Sequence, residues 1–473
     1  MQQVLVYIML FSWPLVAAWL FSNLRLERAV IWSILLPFLI LPVGSGVDLP
    51  VIPVLDKTTI PNLMLFLLAW QHAGERFRVL PVSPVAKTLF LVMLFVPFVT
   101  SALNSDPMIF PQNYIPGLTL KDAVGSLILS FSIIIPFIVG RACLGTAQAH
   151  RDLLQILVLA GLAYSIPMLI EIRLSPQLHT WIYGYFPHEG GFIQAIRQGG
   201  FRPVVFLGHG LLVATFAMFV TIAAAALWRD KLAAGGRYLI KTVYMFVVLV
   251  LCKTLGALLF AVMALPLVLL TSTRMQVRVA AVMVLLAVAY PALRGAELVP
   301  VDDMLEAAAS IEEERARSLE YRFTNEENLL EKAAQRPLFG WGSWGRNHIL
   351  DPETGLPTSV TDGYWIIVIG VNGWIGYLAT FGLLAWPVLA IAMRVRREGP
   401  EILTPATAAV CLLLGINVVD LIPNAAIVPL TWLIVGSLTG FAEQRGTATS
   451  PAEAGAEEEQ APASGPRRPR TLL

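Results

Sequence analysis

The amino-acid sequence predicts an all-α, polytopic integral membrane protein, and three observations carry that reading. Of 473 residues, 56% are hydrophobic and 14% charged, with a mean hydropathy of +0.70. The apolar residues gather in repeated blocks close to the roughly 20 residues a helix needs to cross a bilayer. Between the blocks, Lys and Arg collect in every second connection, the alternation expected when basic loops stay cytoplasmic. The near balance of 33 basic and 32 acidic residues gives no reason to expect a nucleic-acid partner.

In chain order the blocks fall at 4–22, 29–43, 60–71, 87–104, 120–140, 152–170, 203–227, 242–252, 255–271, 279–294, 364–393, 403–421 and 424–442. The expected fold therefore has about 12–14 transmembrane helices. The first block, Val4 to Phe21, has neither a basic leader nor a small-residue cleavage site, so it reads as a span rather than a signal peptide. Lys253 and Thr254 interrupt the stretch 242–271. The stretch 364–393 reads as a half-helix broken at Asn372-Gly373 and followed by a full span. Cys143, Cys252 and Cys411 lie in or beside apolar segments and read as buried thiols, not a disulfide framework. Residues 1–445 form the helical membrane domain, and the Ala-, Pro-, Glu- and Gly-rich tail 446–473 is expected to be disordered and cytoplasmic.

The basic connections 72–87, 140–151, 228–241, 272–278 and 393–401 are assigned to the cytoplasm, which leaves 44–60, 105–119, 171–202 and 295–362 outside. Only 295–362 is long, and it reads as a lid of two amphipathic helices. Met304, Leu305, Ala308, Ile311, Ala316 and Leu319 are spaced to share one helical face. A second helix is expected to open at Thr324, with Glu327 completing a capping box, and to stop at Pro337. The segment that follows, "PLFGWGSWGRNHILDPETGLPTSVTDGYW", interleaves Gly340, Gly342 and Gly345 with aromatics and ends in turn residues beside an apolar run. Asp362 stands at the start of that run.

These residues resemble the family of O-antigen ligases and lipid-linked polysaccharide polymerases. The family pattern of an Arg, a P-x-x-G-x-G stretch and a His or Asp heading a short helix is matched by Arg322, by Pro337-Leu-Phe-Gly-Trp-Gly342, and by Asp362 through Gly373 to Gly376. The stretch "IRQGGFRPVVFLGHG" resembles the family's external Arg-x-x-Gly segment and supplies Arg197 and Arg202. "CKTLGALL" stands where such proteins often carry a Ser-Arg step, which makes Lys253 the substitute for arginine. The similarity covers roughly residues 190–400. Asp362 departs from the His of well-known ligases, which leans the reading toward a polymerase.

The resemblance implies a membrane glycosyltransferase of the bacterial inner membrane, with its site facing the periplasm. It would polymerise undecaprenyl-diphosphate-linked oligosaccharide repeats into exopolysaccharide or O-antigen, with no cofactor and no metal. Such a transfer needs a base for the acceptor hydroxyl and positive charge for the departing diphosphate. Asp362 is the expected base, and Arg197, Arg202, Lys253 and Arg322 the expected clamp. Arg346 and His348 are the auxiliary candidates, His348 as an alternative base. The implied partners are the lipid-linked glycan, membrane lipid, and polysaccharide export and chain-length proteins.

Each residue also has a plainer reading. Asp362 suits a helix N-cap, Arg202 and Lys253 suit snorkelling at span ends, and Arg197 suits solvent. Arg322 suits a pair with Glu320 or Glu326, Arg346 one with Asp351, and His348 a surface position. Asn417 and Asp420 read either as functional intramembrane polar groups or as a helix stop before Pro423. His179, His188 and Glu189 share a loop at a spacing that fits no standard zinc pattern. Two other functions compete: a ligase handing finished glycan to a lipid or protein acceptor, and a transporter or flippase for lipid-linked glycan. Transporters keep polar groups and broken helices at the bilayer midplane, whereas these candidates gather at external helix ends.

Overall fold

The computed structural model describes residues 2–49, 52–187, 191–197, 199–230, 236–311 and 313–444. The tail 446–473 lies outside the described residues. In order the helices are α1 (Gln2–Asn23), α2 (Leu26–Ile40), α3 (Thr59–Ala73), α4 (Pro84–Ala102), α5 (Leu120–Cys143), α6 (Ala147–Leu174), α7 (Leu178–Tyr183) and α8 (Gly210–Arg229). They continue as α9 (Arg237–Leu251), α10 (Leu255–Leu270), α11 (Thr273–Gly295), α12 (Val301–Ile311), α13 (Glu313–Ala334), α14 (Tyr364–Glu398), α15 (Pro405–Asp420) and α16 (Pro429–Glu443). The protein is all-α and polytopic: among the described residues 7 helices, α1, α4, α5, α6, α8, α11 and α14, are long and apolar enough to cross a membrane.

Every apolar block of the sequence coincides with a helix, and α7, α12 and α13 lie outside the blocks. The 15 residues of α2, α3, α9 and α16 reach only about 22 Å, less than the roughly 30 Å hydrocarbon layer. Their polar ends therefore rely on neighbouring protein for hydrogen bonds. Small residues allow the tightest packing. Gly140 of α5 and Gly436 of α16 bring the two backbones together so closely that a Cβ on either would strike the other helix's carbonyls.

The loops sort into two ends. At one end Arg28 pairs with Asp152 at 3.0 Å, Arg141 with Glu443 at 3.0 Å, Arg151 with Asp230 at 2.7 Å and Arg394 with Glu398 at 2.9 Å. Arg141, Arg151, Asp230, Arg394 and Glu398 belong to the basic connections of the sequence, which thus gather at one end. At the other end the remaining loops meet, three of them carrying an antiparallel hairpin: β1 (Gly46–Leu49) with β2 (Ile52–Asp56), β3 (Met108–Ile109) with β4 (Tyr114–Ile115), and β5 (Ile196–Arg197) with β6 (Gly200–Phe201). Tyr183 donates to the Ile40 carbonyl at 2.6 Å, and the Gln112 amide donates to the Glu353 carbonyl at 3.0 Å, tying loops distant in sequence.

Two local expectations are corrected. The block expected from 203 begins as a helix only at Gly210, because the Glu171 carboxylate collects the amides of Val204 at 2.8 Å, Val205 at 2.7 Å and Leu178 at 3.0 Å. Those amides hold 202–206 as a folded loop. The capping box at Thr324 does not form. α13 runs through that residue, and its hydroxyl donates back to the Glu320 carbonyl at 3.0 Å. Of the face drawn from Met304, Leu305, Ala308, Ala316 and Leu319 are half-buried between exposed neighbours, while Met304 itself is 43% exposed. Farther along, α13 turns Phe323, Leu329 and Ala333 inward.

Candidate functional site

The site is built around a break in α14. Gly373 has φ +65° and ψ −170°, which divides α14 into a half-helix from Tyr364 and a full span from Trp374. A broken helix leaves amides and carbonyls without partners. The Pro337 to Gly342 segment supplies them in place of the missing turn. Amides of Trp341 and Gly342 donate to the Gly370 and Val371 carbonyls at 2.8 and 2.9 Å, and amides of Trp374 and Ile375 donate to the Pro337 and Leu338 carbonyls at 2.8 and 3.2 Å. Gly340 (φ +70°) and Gly373 approach backbone to backbone, where a Cβ would collide with the opposing chain. Thr100 and Asn104 lock the segment from α4 by donating to the Phe339 carbonyl at 2.7 Å and the Gly340 carbonyl at 3.0 Å.

The half-helix aims Asp362 at the lid. Its carboxylate lies 3.6 Å from Arg322 Nε on α13, and both side chains are half-buried, 28% and 36% exposed. The helix-cap alternative for Asp362 is not realised. Gly363 is the N-cap, no side chain caps the helix, and the Tyr364 amide donates to the Leu421 carbonyl at 3.0 Å. Arg322 also donates to the Pro423 carbonyl at 3.3 Å, so the pairings with Glu320 and Glu326 are replaced by Asp362.

Arg202 lies within electrostatic reach of Arg322. It is 7% exposed, and its Nε donates to Thr254 Oγ1 at 3.2 Å. Burial, and then the nearby charges of Arg197 and Arg322, push its pKa down to about 10. Among the described residues neither Arg197 nor Arg202 has a carboxylate partner. Lys253 occupies the tip between α9 and α10 with φ +53° and donates to the Arg197 carbonyl at 3.0 Å, which ties the β5–β6 hairpin to that tip. All four predicted basic residues thus share one region. α10 has 16 residues and α11 has 23, so by helical rise α10 is shorter by about 10 Å, and the far end of α11 forms a ledge that meets the lid through Tyr290 and Arg294.

On that ledge sits a carboxyl that the motif did not single out. Glu326, one turn along α13 from Arg322 and 6% exposed, accepts from Tyr290 Oη of α11 at 3.1 Å. Burial outweighs that hydrogen bond and the nearby Arg294 charge, raising its pKa to about 7. Arg294 meets the adjacent Glu327 at 3.7 Å and lies over the Phe323 ring at 5.7 Å. The four-residue step from Arg322 was legible in the sequence, but its burial was not.

The auxiliary candidates separate. Arg346 is buried at 1% exposure and donates to the Pro116 carbonyl at 3.0 Å and the Asp106 carbonyl at 2.9 Å. It is a strut between loops, paired neither with Asp351 nor with an open site. Asp351 instead closes its own turn through Thr354 and Glu353. His348 is half-buried, with its Nδ1 3.2 Å from the Ser359 carbonyl and 3.3 Å from the Ser359 hydroxyl. Asn417 accepts from Thr431 at 2.6 Å and Asp420 from Asn424 at 2.8 Å, so both act in helix packing. His179 accepts from the Val43 amide at 3.3 Å and donates to the Tyr185 carbonyl at 2.9 Å. His188 and Glu189 lie outside the described residues, among which no cluster suits a metal ion.

Fold and site together define a polytopic helical membrane protein with a lidded, cation-rich site at one end. The chain matches no protein-family model and no curated protein.

Proposed function

We propose that the protein is a membrane glycosyltransferase that polymerises undecaprenyl-diphosphate-linked oligosaccharide repeats at the external face of the bacterial inner membrane. The observation that carries this reading is the Asp362–Arg322 contact at 3.6 Å beside the cations Arg202, Arg197 and Lys253. An acid not consumed as a cap is joined to Arg202 and Arg197, which among the described residues have no carboxylate partner.

In the transfer, the acceptor hydroxyl oxygen attacks the anomeric carbon of the donor sugar. The bond from that carbon to the diphosphate oxygen breaks, and its electron pair leaves with the diphosphate. The hydroxyl proton passes to the Asp362 carboxylate. Arg202 and Arg322 face the charge that grows on the leaving group, where a water-poor site strengthens their pull. Attack and departure on opposite faces of the sugar invert its configuration.

The test is glycan output in a strain lacking the native protein, complemented with wild type, Asp362→Asn or Arg202→Met at matched membrane abundance. Asp362→Asn is expected to lower output by at least about a hundredfold, with single lipid-linked repeats accumulating. Accumulation of long lipid-linked polymer indicates the ligase instead. Full-length product from both variants overturns the mechanism.

A further inference from the structure

A second group of positive charges lies farther along the lid. Ten residues beyond Arg322 on α13, about 15 Å by helical rise, Lys332 Nζ sits 3.8 Å from the centre of the Trp341 ring and the Arg336 guanidinium 4.6 Å from it. Arg346 stands behind them. Burial, and then the charges of Arg336 and Arg346, lower the Lys332 pKa. Arg336 donates to the Leu103 carbonyl at 2.5 Å and to Asn104 Oδ1 at 2.7 Å, and Arg346 to the two carbonyls already named. Among the described residues none of the three has a carboxylate within ion-pair distance. Carbonyls and a ring face satisfy donors without cancelling charge, so Lys332 and Arg336 are left without a carboxylate beside them among the described residues, while the Asp106 carboxylate acts on Arg346 only from beyond ion-pair distance.

The surroundings identify what supplies it. Arg336 grips the residue at which α4 ends, and α4 is among the helices apolar and long enough to cross the membrane. Val99 and Leu103 on its last turn are 42% and 55% exposed, and Leu338, beside Trp341, is 58% exposed. Exposed apolar side chains on a spanning helix face lipid, which puts Lys332 and Arg336 where the apolar layer gives way to headgroups, with an indole at the same level.

We propose that Lys332 and Arg336, backed by Arg346 and Trp341, hold the phosphate headgroup of an anionic membrane lipid whose acyl chains lie along Val99, Leu103 and Leu338. The bound lipid would clamp the C-terminal end of α13 to α4. This site is distinct from the Arg202 site and does not depend on the glycosyl-transfer reading.

The test is lipid retention by the full-length protein released from nanodiscs, read by native mass spectrometry, with phosphatidylglycerol compared against phosphatidylcholine. Wild type is expected to keep phosphatidylglycerol and not phosphatidylcholine. Lys332→Met is expected to weaken retention about fivefold and Lys332→Met with Arg336→Met further. If the double variant fails to fold because the Leu103 carbonyl loses Arg336, the single variant decides, since among the described residues Lys332 Nζ lies over the Trp341 ring and holds no carbonyl. Equal retention of both lipids, or retention unchanged by Lys332→Met, overturns the proposal. Displacement of the lipid by millimolar inorganic phosphate also overturns it, because the site then recognises the anion alone.

Discussion

Arg141 and Arg202 are buried to the same extent, 8% and 7% exposed, at opposite ends of the molecule, yet their charges are handled differently. Arg141 meets Glu443 at 3.0 Å, and Glu443 also receives the amides of Val82 and Ser83, both at 2.8 Å. Arg202 has one hydroxyl partner and two arginines within electrostatic reach. The same side chain is a tie at one end and an unneutralised charge at the other. A charge kept buried without a carboxylate partner costs stability, which is the cost the proposed diphosphate would offset.

The largest effect should come from exchanging these roles. Arg141→Ala strands the Glu443 carboxylate and is expected to cost about 3–5 kcal/mol, read as lost membrane abundance and a lower Tm. Arg202→Met should leave Tm unchanged or raise it while abolishing transfer. If both variants destabilise alike, the contrast between the ends is wrong.

The second effect concerns pH. Glu326 carries a folded-state pKa of about 7 against an ordinary 4.5. The docked lid therefore binds more protons than the undocked one between those values, and docking is favoured at low pH. The advantage is complete below about pH 4.5 and is lost as pH rises through about 7, a span worth at most about 3 kcal/mol. Hydrogen exchange of α13 should lose protection between about pH 5 and 8 in wild type and stay flat in Glu326→Gln. A pH-dependent Gln variant would assign the titration to another group.

Gly373→Ala places a Cβ at φ +65° against the Leu338 carbonyl and is expected to cost about 1–3 kcal/mol, loosening the Pro337–Gly342 segment and lowering output. Equal stability and output would show that the break does not depend on glycine. The smallest effect separates two similar sequences at this end. Thr119 and Asp122 form a true capping box, so Thr119→Ala should cost about 1 kcal/mol by thermal unfolding. Thr324→Ala, in mid-helix, should change stability by only a few tenths.

The apolar helices, the alternation of basic loops and the break at Asn372-Gly373 were all legible in the sequence. Each is a property of contiguous residues: apolar length matches bilayer thickness, charge follows translocation, and glycine permits a backbone that other residues resist. The choice of Asp362 and the basic residues was also legible, through local motifs. Their partners were not. Whether Asp362 would cap α14 or face Arg322, whether Arg346 would meet a substrate or two loop carbonyls, and whether Glu326 would face water or Tyr290 depend on pairings 36 to 240 residues apart. The lid boundary misled for the same reason. Thr324 and Glu327 carry a start signal, but docking of α13 on α11 makes a continuous helix worth more than a cap. The sequence by itself determined which segments form apolar helices and which loops share an end, because apolar length and loop charge are set by contiguous residues. Only the tertiary structure decided which buried charges are neutralised and which are left for a ligand, because that is settled by what packs beside them.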